Sequence, residues 1–103
     1  MTHTVHWAPE ARDQLDELED RIAGKASTGV AARYVDSIVN YCEGLRTFPQ
    51  RGTSRDDLRP GLRTLGYRRR VTILFEVAGD VVTVLGVYYG GRDYEADLRG
   101  DED

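Results

Sequence analysis

The chain has 103 residues, 40% of them hydrophobic and 31% charged, which predicts one domain with a modest core about two layers deep. No apolar run approaches the ~18 residues that a membrane span needs, and the opening MTHTVHWAPE lacks the basic and apolar regions of a secretory signal. A lone cysteine, Cys42, excludes an internal disulfide and fits a reducing cytoplasm; with only two histidines beside it, neither a structural zinc site nor any other metal site is expected.

The net charge of −4 is unevenly spread. Residues 51–94 carry eight arginines against five carboxylates, whereas residues 1–50 and 95–103 are both acidic. Every basic residue except Lys25 is arginine, the side chain suited to planar, bidentate recognition of carboxylate or phosphate. This third quarter reads either as a solvated face that balances the acidic segments or as a recognition surface.

Taken in order, residues 2–7 alternate weakly and predict a short strand, with Val5 and Trp7 on one face. His3 and His6 fall on opposite faces of it and read as surface or edge residues rather than catalytic bases. Pro9 and Glu10 suit a first helical turn. Ala11, Leu15, Leu18 and Ile22 then form the apolar stripe of an amphipathic helix, with Gly24 as its stop. Ser27 or Thr28 can cap a second helix, whose stripe is Ala31, Tyr34, Val35, Ile38, Cys42 and Leu45. The short link between them predicts an antiparallel helical hairpin, and Phe48-Pro49 ends it.

Gln50–Pro60 reads as a polar loop, and residues 61–65 as a short strand. Val71, Ile73, Phe75 and Val77 alternate with Thr72, Leu74 and Glu76, predicting a strand. Gly79-Asp80 supplies a two-residue turn, and Val81–Tyr89 returns as a strand apolar on both faces, hence central. Arg68-Arg69-Arg70 and Gly90-Gly91-Arg92-Asp93 bracket this hairpin and should be neighbours in space. Tyr94–Leu98 suggests a helical turn, and residues 99–103 an acidic tail after a single domain of residues 1–98. The fold class is therefore α+β, in the order β-α-α-β-β-β, with the helical hairpin on one face of a small antiparallel sheet. Leu74 is then expected on the sheet's open face, in an apolar patch awaiting a partner.

No nucleotide-binding loop, zinc-protease helix, nucleophile elbow or paired-cysteine motif occurs, and no cofactor is implied. An ordered set of short pieces is nonetheless specific as a whole. It comprises Trp7-Ala8-Pro9-Glu10-Ala11 with Leu15-x-x-Leu18, Ala32-Arg33-Tyr34, Leu45-x-x-Phe48-Pro49 and Gly52. It continues with Leu58-Arg59-Pro60-Gly61-Leu62-Arg63, Leu74-Phe75-Glu76-Val77, Gly79-Asp80 and Val87-Tyr88-x-Gly90-Gly91-Arg92-Asp93. In these the chain resembles the RelE/ParE toxin superfamily of type II toxin–antitoxin modules, and the ParE-like branch more than the RelE-like one.

That resemblance implies a β-α-α-β-β-β fold and a cytoplasmic, growth-inhibiting, plasmid-stabilising toxin. It further implies a hetero-oligomer with a ParD-like antitoxin and poisoning of DNA gyrase. On this reading Arg59, Arg63, Arg68, Arg69, Arg70, Leu74, Tyr89 and Arg92 recognise antitoxin or target, and no residue is catalytic. The alternative is a RelE-like ribosome-dependent mRNA endoribonuclease using Arg70, Arg92 and Tyr94. Against it, the resemblance puts Thr72 where that branch has a strand arginine and Leu98 where it has a late tyrosine, and no lysine stands in the loop before the sheet. A third reading is a non-toxic member that only binds its antitoxin.

Overall fold

In a computed structural model, described over residues 2–90, the chain is an α+β sandwich. β1 (Thr4–Trp7) leads into α1 (Pro9–Lys25) and α2 (Thr28–Glu43), followed by a short 3-10 turn, Gly44–Arg46. Four strands complete it: β2 (Thr53–Ser54), β3 (Leu62–Tyr67), β4 (Val71–Ala78) and β5 (Val81–Tyr89). They form one five-stranded sheet in the order β1-β5-β4-β3-β2. Both strands of the central hairpin are internal, as the doubly apolar β5 implies.

The sheet is mixed rather than wholly antiparallel. β1 pairs parallel to β5, Thr4 opposite Val81 and Trp7 opposite Val84, while the other three pairings are antiparallel. The helical hairpin explains this. It carries the chain back to the end of the sheet where β1 began, so that the His3 N–H donates to the Arg46 carbonyl at 2.8 Å. Two-residue β2 escapes a periodicity reading because it is too short to show any.

Pro9 occupies the first turn of α1 and Ser27 caps α2, its hydroxyl accepting from the Val30 N–H at 3.1 Å. α1 runs past Gly24 to Lys25 and breaks at Ala26. The cap of the next helix, rather than a left-handed glycine, sets that boundary. Ala11, Leu15 and Leu18 of α1 and Val35, Ile38 and Cys42 of α2 are buried against Val71, Ile73, Phe75, Val82, Val84 and Val87 of the sheet, and Ala31 is buried as well. Each of the larger side chains contributes about 1.5–3 kcal/mol of burial.

Strand β5 carries one irregularity that decides both faces of the sheet. Phe75 pairs with Val84 but Leu74 pairs with Gly86, so Leu85 is an extra residue, a β-bulge. Without it the helix face would take Val82, Val84 and Gly86. With it the frame resets and Val87 turns inward. The Val87 N–H lies beyond the span paired with β1 and donates instead to Gln14 Oε1 of α1 at 2.7 Å. Gly86 is required because a side chain there would strike the Tyr88 ring.

The opposite face is not open at Leu74. Leu74 is 1% exposed and forms a second small core with Leu62 and Tyr88, against which Leu58 and Leu85 pack. The stretch read as a polar loop folds into a tight turn. The Arg55 N–H donates to the Leu62 carbonyl at 2.7 Å, Leu58 N–H to the Arg55 carbonyl, and Leu62 N–H to that of Arg59. Leu58 is thereby laid over the sheet, and the expected exposed patch is covered by the chain's own segment.

Candidate interaction surface

The arginine run forms the tip of the β3–β4 hairpin. Tyr67 pairs with Val71, and the Arg70 N–H donates to the Tyr67 carbonyl at 3.3 Å. Arg68 and Arg69 occupy the turn with φ of 51° and 66°. Such a turn favours Asn-Gly, because both central residues are left-handed. Two arginines held there store strain of order 1–3 kcal/mol each. The expected juxtaposition with the end of β5 is present: Val71 pairs with Tyr89, and the Gly90 N–H donates to the Arg70 carbonyl at 2.8 Å.

Tyrosines underlie this tip. The Arg68 guanidinium lies 5.2 Å from the centroid of the Tyr67 ring, and Tyr67 packs on Tyr41 at 4.6 Å. Tyr34 of α2 meets Tyr89 edge-on at 6.5 Å. Burial pushes the Tyr34 phenol up and Tyr89 adds to this, while Arg68 and Arg70 pull it down, which places both guanidinium groups within electrostatic reach of that ring. Val30, Arg33, Tyr34, Ser37 and Arg68 line an open cavity of about 270 Å³ between α2 and the hairpin. Sequence patterns alone do not single out Arg33, Tyr34, Tyr41 and Tyr67 as site residues. Arg33 and Tyr34 are adjacent on α2, and only the return of β5 beside that helix shows them to belong with the arginine run.

The other candidates divide. Arg63 faces the loop before β3, donating to the carbonyls of Gln50 at 2.7 Å, Arg51 at 2.9 Å and Gly52 at 3.3 Å. Arg59 pairs with Glu76 at 3.1 Å across the covered face. Tyr89 is half-buried at the tip, and Leu74 is interior. Arg92, Tyr94 and Leu98 lie outside the described residues, as do the helical turn and the acidic tail. Arg70 is therefore the described member of the alternative ribonuclease set, and Thr72 sits half-buried opposite Tyr88.

A second surface feature lies beyond the end of α2. Phe48 is 57% exposed, with the Arg51 guanidinium 5.2 Å from its ring centroid, beside an open cleft of about 470 Å³ lined by Thr47–Arg51. Among the described residues no cluster of three histidine, cysteine or carboxylate side chains is placed to hold a metal ion, and no helix is long and apolar enough to cross a membrane.

Comparison with known proteins agrees with this geometry. Residues 5–94 match the family model described as the ParE toxin of the type II toxin–antitoxin system parDE. Toxin ParE3 of Caulobacter vibrioides is 29% identical over 98 residues, covering 95% of this chain and 96% of that protein. Among solved structures, the chromosomal ParDE system of P. aeruginosa superposes with a TM-score of 0.75 at 24% identity, covering 86% of this chain and 97% of that one. The RelBE2 toxin–antitoxin complex of Mycobacterium tuberculosis superposes at 0.59 and 20% identity, covering 86% and 99%; both likenesses are of fold. The matched family spans both helices and the whole sheet, and this chain belongs to it: it is a ParE-type toxin of the RelE/ParE superfamily.

Proposed function

We propose that the chain poisons DNA gyrase in the cytoplasm and is neutralised by a ParD-like antitoxin with which it forms a hetero-oligomer. The observation that carries this reading is the family match over residues 5–94, which runs from β1 through the central hairpin. The solved relatives are named for toxin–antitoxin systems, which supports an antitoxin as the partner. Recognition falls to the arginine tip, Arg68, Arg69 and Arg70, together with Tyr89 and Arg92, and with Arg59 and Arg63 at the flank. Leu74 contributes by holding the sheet together instead of touching a partner. The RelE-like reading is weaker, since Thr72 stands at the place the resemblance gives to a strand arginine.

The test is a gyrase cleavage assay. Free toxin is incubated with gyrase, ATP and supercoiled plasmid, and the mixture is denatured with detergent and protease. Linear plasmid that forms only with toxin, and disappears when antitoxin is added, is the expected result. Intact plasmid from a toxin that still arrests growth in cells would sink the gyrase reading and turn attention to cut messenger RNA on ribosomes. Growth unaffected by expression would leave the third reading, a member that only pairs with its antitoxin.

A further inference from the structure

We propose that the hairpin tip and the facing side of α2 form a contact site for the phosphate backbone of duplex DNA. As the place where this contact is used, DNA held by gyrase rests on the reading above; the contact itself does not.

Four exposed arginines converge here: Arg33 on α2, and Arg68, Arg69 and Arg70 on the turn. None makes an ion pair among the described residues, whereas Arg46, Arg55 and Arg59 each have a carboxylate partner. Asp36 follows Arg33 by three positions on α2 and does not pair with it. Among the described residues the site therefore holds unbalanced positive charge, on a chain whose net charge is −4, the pattern of a local polyanion footprint.

The backbone supplies a second, independent observation. Arg68 and Arg69 adopt left-handed φ of 51° and 66°, where glycine or asparagine would be at ease. Arginine gains nothing over glycine from that backbone; Arg68 has one contact within the fold, over the Tyr67 ring, and Arg69 has neither an ion pair nor a hydrogen bond among the described residues.

Surrounding chemistry favours phosphate over an acidic peptide. The Arg68 guanidinium lies over the Tyr67 ring at 5.2 Å on an exposed side chain, so its N–H groups are available for bidentate contact. Arg33 and Arg68 line the cavity of about 270 Å³ together with Tyr34 and Ser37. A bound peptide would want apolar seats, and Val30, 42% exposed, is the one large aliphatic side chain exposed at this cavity. The exposed Phe48 belongs to the other end of α2.

The test measures binding of free toxin to a short labelled DNA duplex by fluorescence anisotropy across a salt series. Wild-type protein is expected to bind at low salt and to weaken linearly in log–log form. Arg68→Gly/Arg69→Gly keeps the turn, since glycine adopts both conformations without strain, and removes two charges. It should weaken binding about tenfold and reduce the salt slope by roughly 2, at about 0.9 for each phosphate no longer neutralised. Arg12→Ala, at an exposed position of α1, should change neither.

Three results would overturn the assignment: no wild-type binding at low salt, equal binding by the double-glycine variant, or displacement by polyglutamate as effective as by unlabelled duplex. Tighter binding of an RNA hairpin would also overturn it, in favour of an RNA contact. Gyrase is absent from this assay. DNA binding without plasmid cleavage would therefore sink the gyrase reading alone, and cleavage without tip-dependent binding would sink this one alone.

Discussion

Leu74→Ala tests the covered face of the sheet most sharply, because an open sheet and the observed packing predict opposite outcomes. On an open sheet Leu74 is a surface residue, and truncation changes stability by no more than about 0.5 kcal/mol. In the structure it is 1% exposed, enclosed by Leu62 and Tyr88 with Leu58 and Leu85 against them. Its cross-strand neighbour is Gly86, which has no side chain to move into the space left behind. Tyr88 cannot easily settle inward, since its ring already lies against Gly86. The hole would stay largely unfilled, and the change should cost ~2–4 kcal/mol. At about 4–8 °C per kcal/mol for a domain of this size, the melting temperature should fall by at least ~8 °C. Urea unfolding of the isolated toxin gives the direct measurement, with antitoxin removed because a bound partner adds stability by mass action. Val30→Ala, at a 42% exposed site, is the control and should stay near wild type. A Leu74→Ala loss no larger than that of Val30→Ala would refute the second core.

Two further outcomes follow from close packing. Gly52 has φ of 77°, and an added Cβ would collide with the Thr64 carbonyl oxygen across the β2–β3 pair; Gly52→Ala should therefore cost about 3 kcal/mol or more, read as the shift in urea midpoint. Cys42 is fully buried, and burial, with a smaller push from Glu43, raises its thiol from 9.0 to about 12. The unfolded chain thus loses this proton first as pH rises. Stability should decline above about pH 9.0, Cys42→Ala should make that decline shallower and leave the part that the raised Tyr34 phenol adds above about pH 10.0, and iodoacetamide should label Cys42 only in denaturant.

The helices and the central hairpin were legible because their signals are local. A stripe such as Leu15, Leu18 and Ile22, or an alternation such as Val71, Ile73 and Phe75, is written within a dozen residues. The parallel edge was not legible, because the direction of β1 depends on where a two-helix excursion returns the chain. The bulge was hidden for a related reason. Val82 to Tyr89 is apolar almost throughout, so shifting the frame at Leu85 leaves the pattern looking the same. That shift, together with Leu58 arriving from a stretch read as polar loop, is what moved Leu74 from surface to interior.

For the candidate site, the sequence shows arginines in number, and only the fold sorts them. Arg63 and Arg59 look equivalent to Arg68 in a composition argument. Yet Arg63 is bound to three loop carbonyls and Arg59 to a carboxylate, so both have local work that accounts for where they sit. Arg68 and Arg69 have the reverse character: their backbone is strained and their charge is unpaired among the described residues. Arg68 has the Tyr67 ring as its one contact within the fold, and the exposed Arg69 has neither an ion pair nor a hydrogen bond among the described residues. Arg33, far from them in the chain, joins them only because α2 lies across the end of the hairpin that β5 completes. The proposed contact surface is thus a property of topology: a helix and a turn, each ordinary alone, that bring Arg33 and Arg68 to one cavity.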